Sequence, residues 1–464
     1  MGILNRMKNS RANPIFIVAL FLIVGSRAVT FFANPYPYTS PDSGTYYTGH
    51  FLDFGLVSFI GQSARGWVVP FVYAFMPNTL AIEITQLILS AMAWIYLLKS
   101  ISRAYSSLKS VPNLLLLGIA ILGSSPVIIQ HDTSILATSI TNTLFVSLIA
   151  VLVSLKYKKN AANGTIFAGI FISGLLMIQK TTFIPIVIGL VCLIFISTRK
   201  TTLPKWRNFF RFIFVILTGF SLYAGNNVNS SWQVSYSGQT LLWQLGGQSP
   251  AAPSFARYLQ DIGAPNCLTA DAPYQNLNIS IGRILSDCPA GKQYLKTDIQ
   301  KEFLRFILTH PTATAKLAVT GIGAAVTNSS SNYGSAVSIL PAFASEVFFG
   351  TTAPNLLDSK VTSQVEGMNL LNTGGAYWIF APLFGWVLFA GLGIVLRKGS
   401  WKEDFELYLI LTFCLVQSAF VVILLPSEWV RQTSPFIIGT LITALILSIK
   451  NFKSLSDLVA KSDM

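Results

Sequence analysis

Charge is what this chain has least of. Only 11% of its 464 residues are Asp, Glu, Lys or Arg, and the acidic residues, 18 against 32 basic, are the scarcer sign. A water-soluble fold of this length carries about twice that charged fraction, so a soluble globular enzyme is excluded. Histidine is scarce (3), and of the four cysteines Cys192 and Cys414 lie in apolar runs. A small-residue cleavage site is also missing after the first apolar run, Ile15 to Phe32, so that run is expected to be retained as a membrane helix rather than removed as a signal peptide.

What the chain has instead is apolar residues, 52% of the total, gathered in runs close to the roughly 20 residues that cross a bilayer. The class is a polytopic, all-α integral membrane protein. The net charge of +14 is no nucleic-acid signature, because the cations sit in short clusters between the runs, at Lys99 to Lys109, Lys156 to Lys159, Arg199 to Arg211 and Arg397 to Lys402, where the positive-inside rule puts cytoplasmic loops. The bare connections then face outward, the N-terminus lies inside, and the count comes to about ten transmembrane helices. No two-fold repeat and no matched pair of broken helices points to a secondary transporter.

Three regions follow. Residues 1–225 form an N-terminal transmembrane module with a first outer loop over 31–80, in which Tyr46 to Phe59 reads as an interfacial helix. Leu114 to Ile129 reads as one outward crossing, Ile135 to Leu155 as its return, and Ile166 to Ile178 with Phe183 to Ile196 as a tight hairpin with Lys180 at its tip. Apolar periodicity lapses over 226–376, an extracytoplasmic insert holding a helical pattern that ends at His310-Pro311. Cys267 and Cys288 share this insert and are expected to pair if it faces an oxidising compartment. Residues 377–464 supply the last helices, the final one starting at Pro435.

The candidate chemistry centres on Asp42. A carboxylate among prolines and tyrosines at the mouth of a membrane helix has water on one side and a low-dielectric wall on the other, which suits a general base. The same Ser-Pro-Asp-Ser-Gly stretch also reads as a turn in which Asp42 caps the helix beginning near Tyr46 and Tyr47. Those tyrosines could stack on a sugar, although interfacial tyrosine is common for amphipathic reasons alone. His131 and Asp132 stand at an outer helix end, and Lys180 and Arg431 are cations at outer helix ends, suited to an anionic group or to snorkelling and salt-bridging respectively.

The motif Pro-Asp42-Ser-x-x-Tyr46 directly after the first helix, the alternation of Lys-rich inner with bare outer connections, Lys180 at a hairpin tip, the helix ending in His310-Pro311, and Arg431 shortly before Pro435 together resemble the GT-C glycosyltransferases. That family includes protein O-mannosyltransferases and the aminoarabinose transferase of lipid A. The resemblance covers most of Ile15 to Ile196 and the last helices. It implies GT-C architecture in the plasma (inner) membrane and transfer of a sugar from a polyprenyl-phosphate carrier to a glycan, lipid or protein acceptor at the periplasmic or cell-wall face. Asp42 then takes the catalytic position, and Lys180, Arg431, His131, Asp132, Tyr46 and Tyr47 bind substrate or its phosphate. Asp42-Ser replaces the acid pair of several relatives, and one carboxylate makes a poor divalent-ion site, so no metal ligand is assigned. The rival readings are an O-antigen polymerase or ligase, which would rely on loop arginines that are sparse here, and a lipid or solute transporter.

Overall fold

A computed structural model describes residues 13–33, 37, 66–105, 111–135, 137–157, 163–180, 183–199, 203–231, 252–268, 288–316, 404–424 and 429–462. The expected interfacial helix over 46–59 and the crossing over 377–396 lie outside the described residues. Within them the chain is almost entirely helical. The helices are α1 (Pro14–Ala33), α2 (Val68–Ala74), α3 (Thr79–Ala104), α4 (Val111–Gly123), α5 (Pro126–Asp132), α6 (Ala137–Tyr157), α7 (Asn163–Gln179), α8 (Ile184–Thr198), α9 (Pro204–Ser231), α10 (Ala252–Asp261), α11 (Pro289–Thr297), α12 (Ile299–Thr309), α13 (Phe405–Leu424) and α14 (Trp429–Ser462).

Among the described residues five helices, α1, α3, α6, α9 and α14, are long and apolar enough to cross a membrane, and four shorter apolar helices, α4, α7, α8 and α13, lie beside them. Their burial sorts them into layers. In α6 and α14, 78% and 83% of the apolar window is buried, against 17% in α1 and 22% in α9, so α6 and α14 are central, α6 being packed by helices on several sides, and α1 and α9 are the rim. Phe21, Val29 and Phe32 on α1 and Phe212 and Val215 on α9 are each more than three-fifths exposed. In water such large apolar side chains would form a costly patch; against lipid they are the expected outer face.

α6 is packed by α3, α7, α8 and α14. Phe145 of α6 meets Phe436 of α14 edge-on at 5.6 Å, and Phe436 meets Phe183, just before α8, at 4.8 Å. Gly439 permits this approach: a Cβ there would come within 2.6 Å of the Phe145 ring and 2.9 Å of Cys414 Sγ. Between membrane helices, where lipid is as apolar as the side chains, close backbone approach at small residues supplies much of the association.

The basic residues mark one end of the bundle. Lys99 and Arg103 close α3, Lys205, Arg207 and Arg211 open α9, and buried Asp404, just before α13, is paired with Lys450 of α14, whose ammonium also lies 5.7 Å from the Tyr105 ring. At the opposite end α1 finishes, α3 begins, and α5, the α7–α8 hairpin tip and the start of α14 converge.

Two boundaries differ from the sequence expectation. Leu114 to Ile129 is not one rod: α4 stops at Gly123, and α5 begins at Pro126 after Ser124 and Ser125. Proline has no N–H for the i−4 carbonyl and suits a first helical turn, so Pro126 starts a helix instead of continuing one. α14, by contrast, begins at Trp429 and runs through Pro435. Near a helix start a proline forfeits a single ladder bond, here the one to the Arg431 carbonyl, and the packed residues that follow outweigh it.

The segment after α9 contains a small helical unit. Phe255, Leu259, Leu268, Leu295, Ile299 and Phe306 form its core, α12 ends at His310 as expected, and Cys267 and Cys288 are joined by a disulfide. The Tyr258 hydroxyl donates to Glu302 Oε2 at 2.7 Å, and burial together with that carboxylate raises its pKa. Tyr294 is pushed up to about 12, chiefly by burial and then by the charges of Glu302 and Asp298. At physiological pH both stay neutral, and the Tyr258 hydroxyl is the donor to Glu302.

Candidate functional site

The end of the bundle away from the basic cluster is where polar side chains enter the core. α1 turns a cation inward there. Arg27 is only 3% exposed and donates through Nη1 to the carbonyls of Ile23 (3.2 Å) and Gly123 (3.1 Å), and through Nη2 to Ser90 Oγ at 2.8 Å. The same Nη2 lies 3.2 Å from Oδ2 of Asp132, itself 1% exposed, whose Oδ1 accepts from Ser139 Oγ at 3.0 Å. One ion pair therefore ties α1, α3, α4, α5 and the first turn of α6. The carbonyls and hydroxyls around it supply the additional hydrogen bonds without which a buried pair does not repay its desolvation.

Above this pair sits a layer of neutral hydrogen bonds. Tyr73 of α2 donates to Gln86 Oε1 at 3.3 Å, Gln86 Nε2 donates to the Ser134 carbonyl at 2.8 Å, and Val69 N–H donates to Gln179 Oε1 at 3.0 Å. Gly66, just before α2, lies so close to α7 that a Cβ would sit 2.6 Å from the carbonyl oxygens of both Ile178 and Gln179. Only glycine fits that approach. The chain that leaves α1 at Ala33 thus returns against Gln179, the residue before Lys180.

α6 links the remaining candidates through residues three apart. Ser139 holds Asp132, Asn142 Nδ2 donates to Ser434 Oγ at 2.9 Å, and Phe145 packs on Phe436. Ser434 is three residues beyond Arg431, and Phe436 touches Phe183, three residues beyond Lys180. The half-buried Lys180 has its ammonium 5.5 Å from the Phe183 ring centroid, and its amide donates to the Leu176 carbonyl at 3.1 Å. His131 is half-buried in the last turn of α5, and Arg431 lies in the first turn of α14. Lys180, His131, Asp132 and Arg431 are thereby brought to the same end of the bundle. Asp42, Tyr46 and Tyr47 lie outside the described residues.

Two ionisable residues here went unnoticed in the sequence, Arg27 and Glu83. Each was legible as a charge inside a run long enough to span, which is rare and points to a buried role. Glu83 is 0% exposed, in the second turn of α3, and neither carboxylate oxygen has a hydrogen-bond partner among the described residues. Asn142 Oδ1 is likewise buried without a donor among the described residues. No group of three or more His, Cys, Asp or Glu with the geometry to hold a metal ion occurs among the described residues.

A carboxyl with no donor opposes folding. Glu83→Leu should therefore raise the unfolding midpoint in detergent, by the equivalent of about 1–3 kcal/mol. A lowered midpoint in differential scanning fluorimetry would mean that the carboxyl is satisfied in the native protein.

Fold and site define a helical membrane protein with a buried ion pair at one end and buried acceptors that have no partner among the described residues. No family model, curated protein or solved structure matches the chain.

Proposed function

We propose that the protein is a membrane glycosyltransferase of GT-C architecture, with about ten transmembrane helices. It moves a sugar from a polyprenyl-phosphate carrier to a glycan, lipid or protein acceptor at the extracytoplasmic face of the plasma membrane. The observation that carries this reading is the return of the Asp42-bearing connection, at Gly66, onto the backbone beside Lys180. A general base and a cation for the departing lipid phosphate are the two groups the transfer needs, and the connection that bears Asp42 in the sequence ends, at Gly66, beside the element that carries Lys180. Asp42 takes the proton of the acceptor hydroxyl as its oxygen attacks the anomeric carbon and the carrier phosphate leaves. Lys180, aided by Arg431, steadies the phosphate charge, while Tyr46, Tyr47 and His131 line the sugar path. The disulfide, which belongs to an oxidising compartment, and the cations at the opposite end of the bundle support the sidedness.

Transport is favoured by one observation, the burial of Arg27, Glu83 and Asp132 in the bundle. Against it, Arg27 and Asp132 neutralise each other, and among the described residues the core between them and the Asp404–Lys450 pair is mainly apolar, its buried polar side chains being neutral. Purified protein in proteoliposomes, given radiolabelled polyprenyl-phosphate sugars and membrane extract, should move label into an acceptor fraction. Flipping of labelled carrier without transfer to any acceptor would favour transport, and inertness toward every donor would overturn the glycosyltransferase reading.

A further inference from the structure

In the small unit after α9, one helix has two apolar sides. The core side of α12 carries Ile299 and Phe306, fully buried, and Phe303 packed beside them. At 100° per residue the opposite side carries Lys301, Leu304, Arg305 and Leu308, all exposed, the leucines by 59% and 75%. Leu308 lies almost diametrically across from Ile299 and Phe306, at the centre of the outward side. Chance exposure of one leucine needs no explanation, but two at i and i+4, bracketed by Lys301 and Arg305, form an organised surface. Glu302, the one acid of the helix, is turned to the core side by its bond from Tyr258, so the outward side combines leucine with positive charge alone.

The occupant must accept aliphatic side chains and carry negative charge, and it must be close at hand. The unit is tethered to α9 through residues 232–251 of the sequence, and α9 is long and apolar enough to cross the membrane, so the leaflet at which α9 emerges is held near it at high effective concentration. We propose that the outward side of α12 seats the unit on that leaflet, with Leu304 and Leu308 entering the headgroup–acyl boundary and Lys301 and Arg305 on anionic lipid headgroups. An amphipathic helix with leucine on one side and flanking cations binds membranes in this way. The seat is independent of the proposed glycosyl transfer and holds for a transporter equally well.

The test uses the full-length protein with Cys192→Ala and Cys414→Ala, leaving the disulfide intact, in nanodiscs of phosphatidylcholine with phosphatidylglycerol. Leu308→Cys and, as reference, Asp261→Cys carry an environment-sensitive fluorophore. At 308 we expect a blue-shifted emission quenched at least threefold more strongly by doxyl-labelled lipid than at 261, and a correspondingly weaker quenching by aqueous iodide. Lys301→Glu with Arg305→Glu should abolish that difference while the elution profile and unfolding midpoint stay unchanged. Iodide quenching at 308 equal to that at 261 would overturn the proposal. So would protection from iodide without lipid quenching, since that places a protein segment on the helix. Persistence of lipid quenching in phosphatidylcholine alone and in the double Glu variant would overturn the anionic part of the seat.

Discussion

Asp42→Asn should lower sugar transfer by a factor of about 10² or more, with expression, detergent extraction and thermal unfolding unchanged. Asparagine preserves size and turn-forming capacity and removes only the proton acceptor. If Asp42 serves instead as a helix cap, the pattern inverts, because Asn caps about as well as Asp and activity would survive. Asp42→Ala separates the roles again. Loss of a base abolishes transfer with little change in the unfolding midpoint, whereas loss of a cap costs about 1 kcal/mol and leaves transfer mostly intact. The measurement is initial-rate transfer from a donor that the unaltered protein uses, paired with an unfolding curve for each variant. An active Asp42→Asn protein would remove Asp42 from the chemistry.

The largest stability effect is expected at the Arg27–Asp132 pair. With side chains 3% and 1% exposed, removing one partner strands a charge in the bundle, and Arg27→Ala or Asp132→Ala should each cost about 3–5 kcal/mol. The double replacement Arg27→Met with Asp132→Leu removes both charges and fills much of the volume, so most of that loss should return. Additive losses in the double variant would show that the two residues stabilise through separate contacts. Transfer by the double variant carries a second message. If it folds and is active, the pair is architectural; if it folds but has lost transfer while donor binding persists, Asp132 also contributes to the chemistry.

Much of the architecture was readable because it rests on local rules. Run length located α1 and α3, the break at Gln179-Lys180-Thr181 located the α7–α8 hairpin and its tip, His310-Pro311 marked the end of α12, and the spacing of Cys267 and Cys288 allowed their bridge. What escaped depended on the third dimension. A single run, Leu114 to Ile129, hides a corner because hydropathy is blind to the donor missing at Pro126. Arg27 is legible as a charge within a spanning run, but its partner Asp132, 105 residues on, is not. That the buried acceptors Glu83 and Asn142 Oδ1 meet no donor among the described residues is encoded by no sequence pattern.

The hydrogen bond from Asn142 to Ser434 spans 292 positions of the chain, and this has a consequence for biogenesis. At about 5–20 residues per second of synthesis, α6 enters the membrane roughly 15–60 s before the helix that completes its packing exists. During that interval the polar side chain of Asn142 and the ring of Phe145 face lipid, an insertion chaperone or a provisional neighbour. Assembly of the central helix is therefore necessarily late and post-translational. A ribosome stalled before α14 leaves a nascent chain whose innermost helix has a raw flank, the kind of intermediate that membrane quality-control proteases recognise.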